Sequence, residues 1–231
     1  RANWFAEPGQ ERAYRYSWGR QNWFGNAAAE HAAIRTGVGM YDMSSFGKLR
    51  VEGPDAEAFL NHVCGADMSV PAGKIVYTQF LNPRGRLEAD VTVTKQTAER
   101  FIVVVTDTMH RHVETWLRRH IPADAHCFMT DITGGIGQLN VQGPRSRELL
   151  QSITSADLSN EAFRWLTAQD IVVGMAPVNA MRLERKAPCV KTSFCEECKS
   201  PERICNTWTI TEKSFPKGRT KVILINQDLG L

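Results

Sequence analysis

The stretch Tyr77-Thr78-Gln79-Phe80-Leu81-Asn82-Pro83-Arg84-Gly85-Arg86-Leu87-Glu88-Ala89-Asp90-Val91-Thr92-Val93 constrains the fold more than any other. Two β-prone segments flank a Pro- and Gly-containing turn, the pattern of a strand, a turn and a second strand. The second strand carries Asp90 beside Val91 and Val93, so a carboxylate stands on a rigid element and can be aimed into a pocket.

Punctuation elsewhere predicts a regular alternation of elements. Asn26 can cap a helix through Ala27-Ala28-Ala29-Glu30-His31-Ala32-Ala33-Ile34-Arg35, with Gly37 as its stop. A hairpin is expected next, Val38 to Tyr41 with Gly47 to Val51. Gly53-Pro54-Asp55 opens a helix with Pro54 at its first position, where the missing N–H costs nothing. The spacing of Ala56, Phe59, Leu60 and Val63 gives that helix one apolar face. Strands are expected near 75–82, 86–94 and 100–106, a helix over Met109 to His120, and strands over Cys127 to Asp131 and Ile136 to Val141. A helix follows Gly143-Pro144. Strand pairs alternating with single helices define an α+β fold, with helices packed on antiparallel sheets. The junctions Gly53-Pro54-Asp55 and Gly143-Pro144-Arg145 hint at an internal duplication.

The charge is nearly balanced, 28 Lys+Arg against 25 Asp+Glu, and residues from Arg182 onward hold 10 basic and 6 acidic side chains. The body is therefore neutral, and nothing in it points to nucleic acid. No apolar run reaches the roughly 18 residues of a membrane span. The first residues carry neither a secretory core nor an initiator Met, so the chain is expected to begin inside something longer or after processing. Trp4, Phe5, Tyr14, Tyr16, Trp18, Trp23 and Phe24 crowd residues 1–25 without a helical or strand period, as in an extended arm that lays rings on another surface. Cys64 and Cys127 sit singly among apolar neighbours and read as small buried hydrophobes. Cys195-Glu196-Glu197-Cys198 has zinc-ligand spacing but lacks a second such pair, and no metal site is assigned.

Three motifs in order, Val38-Gly39-Met40-Tyr41-Asp42-Met43-Ser44-Ser45-Phe46-Gly47-Lys48-Leu49, the Tyr77–Val93 stretch and Leu139-Asn140-Val141-Gln142-Gly143-Pro144-Arg145, resemble the aminomethyltransferase (glycine-cleavage T-protein) folate-binding family. They look most like the form of that module fused behind the flavin domain of dimethylglycine and sarcosine dehydrogenases. The resemblance implies a linker remnant over residues 1–25, a folate-binding domain over 26–182 and an unrelated, loosely ordered tail over 183–231, with one short strand conceivable near Val222 to Ile225. The Gly-Glu dipeptide with which the family grips the folate ring system does not occur after Arg182.

The resemblance further implies tetrahydrofolate as cofactor, an iminium derived from a small N-methyl amine as the reacting partner, and a flavoprotein domain or subunit holding any FAD. The location it implies is the mitochondrial matrix in a eukaryote and the cytoplasm in a bacterium. The alternative is a non-catalytic relative such as a pyruvate dehydrogenase phosphatase regulatory subunit. Asp90 is the catalytic candidate, placed beside N10 of the folate, with Tyr77, thirteen residues earlier, stacking on the ring system and Phe46 lying against the pterin. The last also reads as a core aromatic. Thr106 stands where several family members have a folate-binding Asn. Glu88 shares a strand face with Asp90, so paired carboxylates are conceivable. His110, His112 and His120 read as a solvated helix face. Gly134-Gly135-Ile136-Gly137 precedes a strand, so it is not a dinucleotide loop.

Overall fold

The computed structural model describes residues 6–183 and the backbone of 207–212. In chain order the elements are α1 (Phe24–Thr36), β1 (Gly39–Asp42), β2 (Gly47–Glu52), α2 (Ala56–Val63), β3 (Ile75–Leu81), β4 (Leu87–Thr97) and β5 (Arg100–Val105). Then come α3 (His110–His120), β6 (Phe128–Asp131), β7 (Leu139–Gln142), α4 (Ser146–Gln151), β8 (Thr167–Val173), β9 (Ala176–Arg182) and β10 (Thr207–Glu212). Each half runs helix, two strands, helix, three strands.

The strands form two antiparallel sheets, β3-β4-β5-β2-β6 and β8-β9-β10-β7-β1. Strand for strand the orders are equivalent, except that the halves exchange their edge strands: β1 pairs with β7, and β6 with β2. The chain therefore crosses between sheets twice, at residues 43–46 and 132–138. The crossings answer each other bond for bond. Met43 N–H donates to Gln138 O at 2.8 Å and Ile132 N–H to Lys48 O at 2.9 Å. Lys48 N–H donates to Thr133 Oγ1, and Gln138 N–H to Ser44 Oγ, both at 2.9 Å. Asp42 and Asp131 each end a strand and accept the N–H two residues on, from Ser44 and Thr133. The duplication extends to sequence: Gly47-Lys48-Leu49-Arg50-Val51-Glu52-Gly53-Pro54 and Gly137-Gln138-Leu139-Asn140-Val141-Gln142-Gly143-Pro144 share Gly-x-Leu-x-Val-x-Gly-Pro.

This exchange corrects the expected hairpin of residues 38–51. Both strands exist, yet both sides of β2 are taken by β5 and β6, so β1 is carried to the other sheet. Two cap assignments also shift. Asn26 lies within α1 and its amide donates to Gln10 Oε1, while Pro54 precedes Asp55, the residue flanking α2. Gly53 has φ +131°, and a Cβ there would stand 2.1 Å from His126 O; Gly143 repeats the arrangement at φ +115°, 2.3 Å from Gly37 O.

The outer face of the first sheet carries the largest core, where Ala56, Phe59, Leu60 and Val63 of α2 and Val113 and Leu117 of α3 cover Val91, Val93, Phe101 and Val103. Burying each large apolar side chain contributes roughly 1.5–3 kcal/mol. A smaller outer core, with Leu150, Leu158, Phe163 and Ile171, covers the second sheet. Between the sheets lie Phe46, Ile75, Ile102, Val104, Ile136 and Met181. The edges β3 and β8 meet through a bridge between Lys74 and Thr167. α1 buries no residue, and Tyr14, Tyr16 and Trp18 of the arm are exposed. β10 lies where no strand was expected; the Val222 to Ile225 segment and Cys189, Cys195, Cys198 and Cys205 lie outside the described residues.

Candidate functional site

Tyr77 and Asp90 project from adjacent strands toward the layer between the sheets. Alternation sets Ile75 and Tyr77 on one face of β3 and Asp90, Thr92 and Thr94 on the matching face of β4; the register pairs Tyr77 with Thr92 and Gln79 with Asp90. The two candidates are thus diagonal neighbours, and Tyr77 Oη donates to Asp90 Oδ2 at 2.8 Å. Tyr77 is 54% exposed. Asp90 is half-buried, and its second oxygen takes no hydrogen bond from the described residues.

Phe46 is packed. At 9% exposure it lies among Ile75, Ile102, Val104 and Met181. Gly47 pairs with Val105 and Thr92 with Val104. Continuing those registers sets Phe46, Thr106 and Asp90 level across β2, β5 and β4, at one end of the first sheet. Thr106 there shares a 3.4 Å hydroxyl contact with Thr108.

Glu88 is engaged elsewhere, accepting from Asn82 Nδ2 at 2.9 Å and lying 3.1 Å from His112 Nε2. The two carboxylates therefore have separate partners, Tyr77 for Asp90 and Asn82 with His112 for Glu88. Of the α3 histidines, His112 is exposed, as expected of a solvated face, whereas His110 and His120 are half-buried. His110 lies 3.1 Å from Asp131, and His120 Nδ1 lies 2.7 Å from Trp116 O. His110, Glu114 and Asp131 offer ligand atoms within 4.8 Å of one another. Arg111 and Arg118 bind both oxygens of Glu114 and hold its pKa below the usual carboxylate range, chiefly through the Arg111 hydrogen bond. That neutralises the attraction a cation would need.

Sequence reasoning passed over Lys48 and Gln138, which hold the same place in the two repeats and are both fully buried. Lys48 Nζ donates to Ser44 O at 3.0 Å and Phe46 O at 2.7 Å. Burial pushes its pKa down to about 8 against the opposing pull of Asp131 and Asp42. The side-chain amide of Gln138 makes no hydrogen bond among the described residues. The shared Gly-x-Leu-x-Val-x-Gly-Pro was the signal that could have found the pair.

Fold and site together define an α+β protein of two exchanged antiparallel sheets, with a tyrosine–aspartate pair at one sheet end. The family profile of the GCVT N-terminal domain matches residues 1–184, and the chain belongs to that family. A second profile, the LUD domain, matches residues 166–225. The chain is 41% identical over 165 residues to 4-methylaminobutanoate oxidase (formaldehyde-forming) of Paenarthrobacter nicotinovorans, covering 71% of this chain and 20% of that one. It is 33% identical to the mitochondrial dimethylglycine dehydrogenase of Rattus norvegicus, covering 78% of this chain and 21% of the relative. It thus spans about a fifth of these relatives. The aminomethyltransferase T of the glycine cleavage system from Bartonella henselae shares the fold, with TM-score 0.60 at 20% identity over 79% of this chain and 44% of that one. Among the described residues no helix is long and apolar enough to cross a membrane.

Proposed function

We propose that the chain is a tetrahydrofolate-binding module that accepts one-carbon units from the oxidative demethylation of an N-methylated glycine, with Asp90 as its catalytic residue. The observation that carries the reading is the Tyr77–Asp90 pair, in which one carboxylate oxygen is fixed at 2.8 Å and the other is left for a ligand. An exposed ring beside a half-committed carboxylate fits a flat heteroaromatic that bears an amine. Tetrahydrofolate, when bound, supplies the nucleophilic amine that takes up carbon at the formaldehyde level.

The chain's own groups then have distinct tasks. Tyr77 offers a ring face and holds Asp90 in one rotamer. With tetrahydrofolate bound, Asp90 would orient the N10 amine, accept its proton and stabilise the positive charge of the incoming iminium. Phe46 supports the end of the sheet on which both stand. The iminium and any FAD come from a flavoprotein domain or subunit; that the chain resembles an oxidase and a dehydrogenase supports an oxidative partner. A mitochondrial location follows the dimethylglycine dehydrogenase relative if the source is eukaryotic, and a cytoplasmic one applies in a bacterium.

Titration calorimetry with tetrahydrofolate and a formaldehyde-capture assay test the reading. Asp90→Asn preserves shape and should leave the fold intact. It should lower capture more than binding, since a charge-assisted contact is worth about 1.5–3 kcal/mol. Equal capture by both proteins would reduce Asp90 to an uninvolved acid, and binding without capture by either would make the chain a non-catalytic folate-binding relative. No binding by the parent chain would refute the folate assignment.

A further inference from the structure

Two facts about the crossings combine. Lys48 and Gln138 occupy the same place in the duplicated units, and the backbone bonds around them are reciprocal: Met43 to Gln138 O and Ile132 to Lys48 O, Gln138 to Ser44 Oγ and Lys48 to Thr133 Oγ1. The crossing at 132–138, three residues longer, forms these bonds although the Gln138 amide pairs with nothing among the described residues. A side-chain donor at this place is therefore not needed to make a crossing. Lys48 nevertheless buries an ammonium completely, at a desolvation cost, and spends two of its N–H groups on the carbonyls of Ser44 and Phe46. Those carbonyls bracket the turn that delivers Phe46 to the level of Asp90.

We infer that Lys48 is a positioning residue of the Tyr77–Asp90 site: it clamps the Ser44–Phe46 turn from below and fixes the Phe46 backbone at the end of the sheet where a ligand of Asp90 would lie. This rests on the tetrahydrofolate reading for its ligand, though the clamp itself is independent of it. The titratable groups around Lys48 are Asp42 on the turn and Asp131 and His110 across the crossing. All keep their partners when Lys48 is replaced.

The test substitutes the residue that the other repeat carries, Lys48→Gln, with Lys48→Met as a second variant in case the amide finds a bond. Amide hydrogen exchange of the full chain reads the clamp. Exchange at Phe46, whose N–H donates to Met43 O at 3.0 Å, should speed up at least about tenfold, while Met43 and Ile132, bonded across the crossing, stay protected. Calorimetry with tetrahydrofolate reads the consequence. Affinity should fall about tenfold, because the ligand must now order the turn. Unchanged exchange at Phe46 in both variants overturns the clamp. Parent-like affinity in both variants overturns the positioning role and leaves the folate reading standing. Failure of the parent chain to bind tetrahydrofolate overturns that reading, and the positioning role with it.

Discussion

Replacing Gly53 by alanine should be among the costliest small changes in this chain. At φ +131° the residue lies where side chains are rarely tolerated, a penalty of order 1–3 kcal/mol. The new Cβ would also stand 2.1 Å from the backbone oxygen of His126, so the loop before β6 must move, which costs about 1–3 kcal/mol more. Alanine's smaller unfolded-state entropy returns only about 0.4–1 kcal/mol. A net loss of roughly 2–5 kcal/mol is a large part of the 5–15 kcal/mol typical of a domain. Calorimetric melting should register it as a fall of about 5–20 °C, at roughly 2–4 °C per kcal/mol for a chain this long. Gly143→Ala should behave alike, because its Cβ would meet Gly37 O at 2.3 Å and Ile34 O at 2.7 Å. Gly85→Ala is the internal control. Its φ is +70° with nothing within 4 Å, so only the left-handed penalty of about 1–2 kcal/mol applies. Gly53→Ala melting as high as Gly85→Ala would refute the close-approach argument.

Further outcomes follow from burial, pairing and charge. Cys64 and Cys127 are buried, and burial first of all pushes their pKa values up to about 12 and about 11. Iodoacetamide at pH 8 should spare both in the native chain and label them after unfolding; peptide mass analysis showing fast native labelling would contradict this. Lys48 has a folded pKa of about 8 against 10.5 for the free side chain, so the unfolded state binds the proton more tightly. Relative to Lys48→Met, stability should therefore be lowest below pH 8 and rise between pH 8 and 10.5, by up to about 3 kcal/mol. A denaturation series in which that difference stays flat would refute it. β10 fills the slot between β7 and β9, so a chain ending at Asn206 should melt well below one ending at Lys213. Equal melting temperatures would show that the strand adds nothing to the sheet.

The elements with strong local signals were legible in the sequence. Ala56, Phe59, Leu60 and Val63 repeat at helical spacing, and all four are buried. The Tyr77–Val93 stretch carries its own turn, so β3 and β4 pair as expected and bring Tyr77 to Asp90. A hairpin stores its register locally, in the alternation of side chains and the length of the turn. Partner choice between distant strands is not stored that way. Val38 to Tyr41 is β-prone wherever it goes, and only competition for the edges of β2 sends it to β7. The same competition decides the surroundings of the α3 histidines: three-residue and four-residue spacings say which side chains share a helix face, but not that β6 will bring Asp131 to His110. Lys48 shows the limit most clearly. Sequence alone marks it as an ordinary charged residue expected at the surface, whereas its burial under two carbonyls exists only because two sheets exchange strands above it. Local periodicity thus determined most elements as far as α4, though not β8 to β10, and the Tyr77–Asp90 pair. The strand exchange, and with it the buried ammonium behind that pair, was decided by long-range pairing, whose free energy appears only when the whole sheet is assembled.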